Sequence, residues 1–124
     1  MKPGRYFIPA VIWGLLILYL SADPGINLPP SVWDFLGIDK IGHLTFYGIF
    51  SFLIAYGYFK LPQTAIKKGL VNTLIISSGY GLAMEIMQYS FFPNRYFEVL
   101  DIIANIIGSF VGILLFHHIF LKTR

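Results

Sequence analysis

The sequence predicts an all-α fold: a polytopic membrane protein whose four transmembrane helices form a single domain over residues 1–124. Three observations carry that prediction. Apolar residues make up 56% of the chain and charged residues only 12%, against about 25% charged in an ordinary soluble domain. At 124 residues the chain has no soluble core large enough to bury so much apolar side chain. The ionisable residues are also not scattered but gather at the ends of apolar runs. The basic residues interleave with no polar patch, which argues against nucleic acid, so the lipid bilayer is the partner the composition demands. The lack of cysteine rules out disulfides, thioether-linked haem and thiolate metal sites.

The first span is expected over residues 6–22, behind Lys2 and Arg5. A basic start before an apolar run is also how a secretory signal begins. The run ends in LYLSAD, however, a poor match to a small-x-small cleavage site, so it reads as a retained span with Pro9 near one end. Residues 23–38 form a loop, opened by the turn signal Asp23-Pro24-Gly25 and interrupted by Pro29-Pro30. Trp33 and Phe35 suit the headgroup interface there. The second span covers 41–59, the third 69–90 and the fourth 99–121, with Pro62 breaking the basic connection KLPQTAIKK and Phe92-Pro93-Asn94-Arg95 forming a turn.

This arrangement divides the basic residues unequally. Lys2, Arg5, Lys60, Lys67, Lys68, Lys122 and Arg124 fall on one side, and Lys40 and Arg95 on the other. The positive-inside rule then puts both termini in the cytoplasm and turns the 23–40 and 90–98 loops outward.

The polar residues repeat at helical spacing. A helix turns about 100° per residue, so positions three, four and seven apart share a face. Asp39, His43 and Tyr47 form one ladder, Ser78, Gly81, Glu85 and Gln88 a second, and Asp101, Asn105, Gly108 and Gly112 a third. Gly108-Ser-Phe-Val-Gly112 has the small-xxx-small pattern of close helix packing. Each ladder begins at the same end, and a charge left in lipid costs roughly 2.5–3.5 kcal/mol on insertion scales. The faces are therefore expected to converge, with Lys40, His43 and Arg95 balancing Asp39, Glu85, Glu98 and Asp101. Arg95 is the natural clamp for a carboxylate or a phosphate.

The segments DKIGHLTFYGIFSFL, EIMQ and PNRYFEVLDIIANIIGSFVG together resemble the VanZ-like membrane protein family. Its features are Asp-Lys-x-x-His opening one span, Glu-x-x-Gln closing the next, and a turn with Arg leading into Asp-x-x-x-Asn-x-x-Gly. Asp39, Lys40, His43, Tyr47, Glu85, Gln88, Arg95, Asp101, Asn105 and Gly108 stand at those positions, and the likeness spans residues 39–112. Asn94 replaces the Gly often found before the Arg, and both tolerate a left-handed turn. The family is associated with resistance to the glycopeptide teicoplanin. The resemblance implies a bacterial plasma-membrane protein with a role in envelope biology, and no particular reaction.

Two chemical readings of the site follow. In the first, Asp39, Lys40, Tyr47, Gln88, Arg95 and Asn105 line an outward pocket that binds an envelope lipid, a lipid-linked precursor or a glycopeptide. In the second, His43, Glu85 and Asp101 do acid–base catalysis on a lipid head group while Arg95 holds its phosphate. A third, structural reading has the cluster only assembling the bundle, and the sequence leaves room for a homo-oligomer. Asn105 and Gln88 also fit helix–helix hydrogen bonding, and the remaining tyrosines and phenylalanines are expected to face lipid or the interface. No metal or cofactor is expected, because no tight ligand motif such as HExxH occurs and Lys40 and Arg95 already offset the acids.

Overall fold

In the computed structural model, residues 3–22, 38–62, 64–91 and 99–121 are described. They are helical nearly throughout. A short 3-10 turn, Pro3–Phe7, leads into α1, Ile8–Ala22. Pro9 sits in the first turn of α1, where its missing N–H would have had no partner. Next come α2, Ile38–Phe59; α3, Ile66–Phe91; and α4, Val99–Phe116, whose last turn widens into a π-helix over His117–Leu121. Between α2 and α3 the chain turns tightly, with the Lys60 amide bonded to the Tyr56 carbonyl at 3.2 Å and the Leu61 amide to Tyr58 at 3.0 Å. Pro62 then prevents the helix from resuming. The interfacial turn expected at 31–36 and the turn containing Arg95 lie outside the described residues.

Three stretches are long and apolar enough to cross a membrane: Gly4–Ser21, Ile66–Phe91 and Val99–Leu121. The expected second span, 41–59, is also helical and at 22 residues for α2 is long enough, but its composition alone does not mark it as a span. The reason is where it sits. α2 packs against α1, α3, α4 and the N-terminal 3-10 turn, so much of its surface meets protein and can be polar or small.

The interior mixes polar groups with an apolar cluster around Ile17, Phe50 and Ile54, and the outer faces are apolar. Ser51, Thr73, Ser77, Glu85, Asp101, Asn105 and Ser109 are all buried, while Val11, Ile12, Leu15, Ile75, Phe110 and Leu114 are exposed. In water such an arrangement would forfeit the hydrophobic effect. In a bilayer it is the stable one, because hydrocarbon accepts the apolar faces and polar groups must find partners within the protein.

Close backbone contact joins α2 to α4. A Cβ added at Gly108 would stand 2.5 Å from the Leu44 carbonyl oxygen and 2.9 Å from the Leu44 Cα. One at Gly112 would run into Ser51 Oγ and the Gly48 carbonyl. The small-xxx-small pair on α4 thus meets Leu44, Gly48 and Ser51 on α2, one and two turns apart. α3 joins the same seam through Ser77, whose hydroxyl lies 2.5 Å from that of Ser109, and through Gly81, which packs on the Asn105 side chain.

α1 is held differently. Trp13 Nε1 donates to the Phe46 carbonyl at 2.9 Å, the Tyr80 hydroxyl donates to the Gly14 carbonyl at 2.5 Å, and the Gln88 amide donates to the Ser21 carbonyl at 3.0 Å. The Phe46 and Gly14 acceptors are mid-helix carbonyls using a second lone pair, and Ser21 offers a carbonyl from the last turn of α1. At one end of the bundle Phe52, Tyr56 and Phe59 of α2 pack with Phe116 and Phe120, the last two stacked at 4.9 Å between centroids. Phe7, just before α1, meets Tyr58 edge-on at this same end. The two ends of the described chain therefore lie at one end of the bundle.

Candidate functional site

The polar cluster occupies the opposite end, built from the first turns of α2 and α4 and the last turns of α3. Lys40 and His43 are three apart on α2, and Asp101 and Asn105 are four apart on α4, so each pair shares a face. The glycine seam just below brings these two faces together. The Lys40 ammonium is paired with the Asp101 carboxylate through Oδ1. His43 lies between the two α4 residues, with Nδ1 2.8 Å from Asn105 Oδ1 and Nε2 3.6 Å from Asp101 Oδ2. His43 thus bonds the Asn105 amide through Nδ1 and turns Nε2 toward the Asp101 carboxylate.

Exposure grades across the cluster. The Lys40 side chain is 30% exposed and Asp101 10%, whereas Glu85 retains 3% and Asn105 1%. The cluster thus opens at Lys40 and closes inward. Below it, Tyr47 stands one turn beyond His43 on α2, buried and within electrostatic reach of both Glu85 and Tyr80. Glu85 therefore faces protein and not hydrocarbon, and Tyr47 links it to the α2 ladder. Deeper still, the Ser109 hydroxyl donates to the Asn105 carbonyl at 2.8 Å, and Ser77 joins it from α3. A polar seam consequently runs from the Lys40 end toward the middle of the bundle.

Among the residues expected at the site, the structure joins Lys40, His43, Asp101 and Asn105 by direct contact, sets Tyr47 one turn below His43 and puts Glu85 on α3 at the level of Asp101. Gln88 turns instead toward α1, as the bond to Ser21 shows. The side chain of Asp39 and the whole of Arg95 lie outside the described residues. Among the described residues, no group of three or more His, Asp or Glu is placed to hold a metal ion.

The α3 ladder differs by one residue from the sequence reading. The buried positions are Thr73, Ser77, Gly81 and Glu85, spaced by four, and Ser77 rather than Ser78 makes the inter-helix bond. A strict four-residue ridge drifts by about 40° per step, and that drift selects Ser77 over its neighbour. Tyr80, expected to face lipid or interface, instead ties α1 to the bundle, as does Trp13, whose place the sequence left open. The only advance signal for either was a polar tip on an otherwise apolar helix.

The VanZ/LLP1 family model matches residues 6–121. The chain belongs to the VanZ/LLP1 family. Neither curated proteins nor solved structures give a match. In this VanZ/LLP1 chain the matched stretch takes in α1 to α4 and every residue of the polar cluster.

Proposed function

We propose that this chain is a four-span protein of the bacterial plasma membrane, with both termini cytoplasmic, whose outward polar cluster binds an envelope lipid, a lipid-linked precursor or a glycopeptide. One observation carries the reading. Lys40, His43, Asp101 and Asn105 form a single contact network at one end of the bundle, with Glu85 buried on α3 at the level of Asp101. Buried ion pairs add little net stability over well-packed apolar residues. Recognition of a polar head group gives such a network a role that packing alone does not. Lys40 is held by Asp101, so an anionic group of the ligand would share Lys40 with that carboxylate, and Arg95 remains the residue suited to clamp it.

The test is binding by the purified protein in lipid nanodiscs, with teicoplanin and with isolated envelope lipids as probes. Asp101→Asn and Arg95→Ala should each weaken binding about tenfold or more, the scale of a lost charge-assisted contact. Binding unchanged in both folded variants would sink the proposal.

A second reading rests on His43. Its ring is oriented on one side by Asn105 and turned on the other toward Asp101, as an acid–base imidazole is in many enzymes. In that case His43, Asp101 and Glu85 would catalyse phosphoryl transfer or hydrolysis at a lipid head. Mass spectrometry of envelope lipids distinguishes the two: catalysis predicts a product that disappears with His43→Gln, and binding alone predicts none.

A further inference from the structure

The side chain of Asn105 on α4 is buried, 1% exposed, and it meets two other helices. On one side its Oδ1 lies 2.8 Å from His43 Nδ1 of α2. On the other stands Gly81 of α3. A Cβ built at Gly81 would lie 2.8 Å from Asn105 Nδ2, 2.9 Å from its Cβ and 3.2 Å from its Cγ, and these are the nearest atoms it would meet. All three belong to one side chain, so a hydrogen atom is the largest substituent that α3 can carry against it.

The amide needs such a wall. The last torsion of an asparagine is broad, with no sharp well of its own. The single contact with the imidazole fixes one atom of the amide and leaves its tilt open. Packing against the Gly81 main chain supplies the second constraint, since a close-packed interior transmits displacement instead of absorbing it. The height of that wall is set as well. One turn from Gly81 and one turn from Asn105, the hydroxyls of Ser77 and Ser109 lie 2.5 Å apart, and the Ser109 hydroxyl also donates to the Asn105 carbonyl at 2.8 Å. This pair holds Gly81 level with Asn105. Asp101 does not fix the ring by itself, because its Oδ2 is 3.6 Å from His43 Nε2, beyond hydrogen-bond range.

We propose that Gly81 is a positioning residue for His43, acting through Asn105. By carrying no side chain it lets the Asn105 amide stand where its oxygen meets the imidazole, so α3 sets the pose of a ring on α2. This role of Gly81 holds whether the polar cluster binds a ligand or does catalysis.

The test uses no ligand and reads the ring itself. The full chain, labelled with 15N in histidine, is placed in lipid nanodiscs, and nitrogen NMR is recorded at one pH; the His43 signals are those missing from His43→Gln. Gly81→Ala is expected to move the His43 Nδ1 signal from its wild-type position to the one it takes in Asn105→Ala. Gly79→Ala, whose methyl group meets nothing within 4 Å, should leave it in place. Added to Asn105→Ala, Gly81→Ala should move the signal no further, as for two changes acting through one contact. A loss of stability in Gly81→Ala with the Nδ1 signal unmoved overturns the proposal and leaves Gly81 a packing residue only. An equal shift in Gly79→Ala overturns it, as does a shift by Gly81→Ala that is undiminished when Asn105 is already replaced. If Gly81→Ala alone gives no folded chain, adding Asn105→Gly, which deletes all three atoms the methyl group meets, should recover it. No recovery in that pair overturns the proposal too, since the obstacle would then lie outside the Asn105 side chain.

Discussion

Asp101 is the residue on which the polar cluster turns, because it faces both Lys40 and His43. Replacing it by Asn keeps the shape and removes the charge, leaving the Lys40 ammonium without that partner. The pair is only partly buried, so the loss should fall below the 3–5 kcal/mol seen for fully buried pairs, at about 1–3 kcal/mol. Unfolding of Asp101→Asn, Lys40→Met and the double variant in detergent measures the coupling directly. A coupling energy near zero would mean the two side chains act independently. The proximity of these residues was legible beforehand, because ladders of polar residues at spacings of three and four can only be satisfied in lipid by facing one another. The choice of Ser77 over Ser78 was not legible, since one residue of helical phase lies within the uncertainty of where a ridge begins. Nor was the role of Tyr80, whose acceptor is the main chain of another helix and leaves no mark in the side-chain pattern.

At the scale of the helices, the contact of α2 with α4 depends on what is missing from Gly108 and Gly112. Adding a methyl group at Gly108 drives it into the Leu44 main chain, which cannot move aside as a flexible side chain would. Gly108→Ala should therefore destabilise the bundle by about 1–3 kcal/mol or more. Gly79 is the internal control: a Cβ there meets nothing within 4 Å, and Gly79→Ala should be neutral or stabilising by up to about 1 kcal/mol. Equal effects at the two glycines would show that helix propensity and not close approach is being measured. The α4 motif announced this contact in the sequence; its partner did not, since Gly48 and Ser51 fit no repeat that points at α4. α1 makes the complementary case. Its three side-chain ties go to main-chain carbonyls, and in membranes such bonds contribute about 0.6 kcal/mol on average. Tyr80→Phe should lower unfolding stability by about 0.5–1.5 kcal/mol, with Trp13 fluorescence as the local reporter. A Trp13 emission and stability identical to wild type would show that the Tyr80 bond holds nothing.

For the whole molecule, the two ends differ in chemistry. Arg5, Lys60, Lys67 and Lys68 share one end with an aromatic stack, and the ion-pair cluster occupies the other. With no native cysteine, single substitutions give unique labels. Thr64→Cys should react with a membrane-impermeant maleimide only after the cells are permeabilised, and Phe91→Cys should react in intact cells. The reverse pattern would invert the orientation inferred from the charge bias. Composition disclosed the membrane character of this VanZ/LLP1 chain and the helical phases disclosed which ends are polar. Residues 41–59 were legible as a helix; the central place of α2 was not, because the partners it packs against on α1, α3 and α4 leave no mark in its own hydropathy.

That central helix has a consequence for biogenesis. α2 leaves the ribosome long before α4, yet the glycine pair and the carboxylate that accommodate its backbone and its Lys40 reside on α4. A nascent chain that has reached Phe91 holds a helix whose Lys40 and His43 are not yet matched with their companions on α4. Truncation after Phe91 should consequently leave α2 open to added protease in spheroplasts or inverted vesicles, and co-expression of residues 92–124 as a separate peptide should restore its protection.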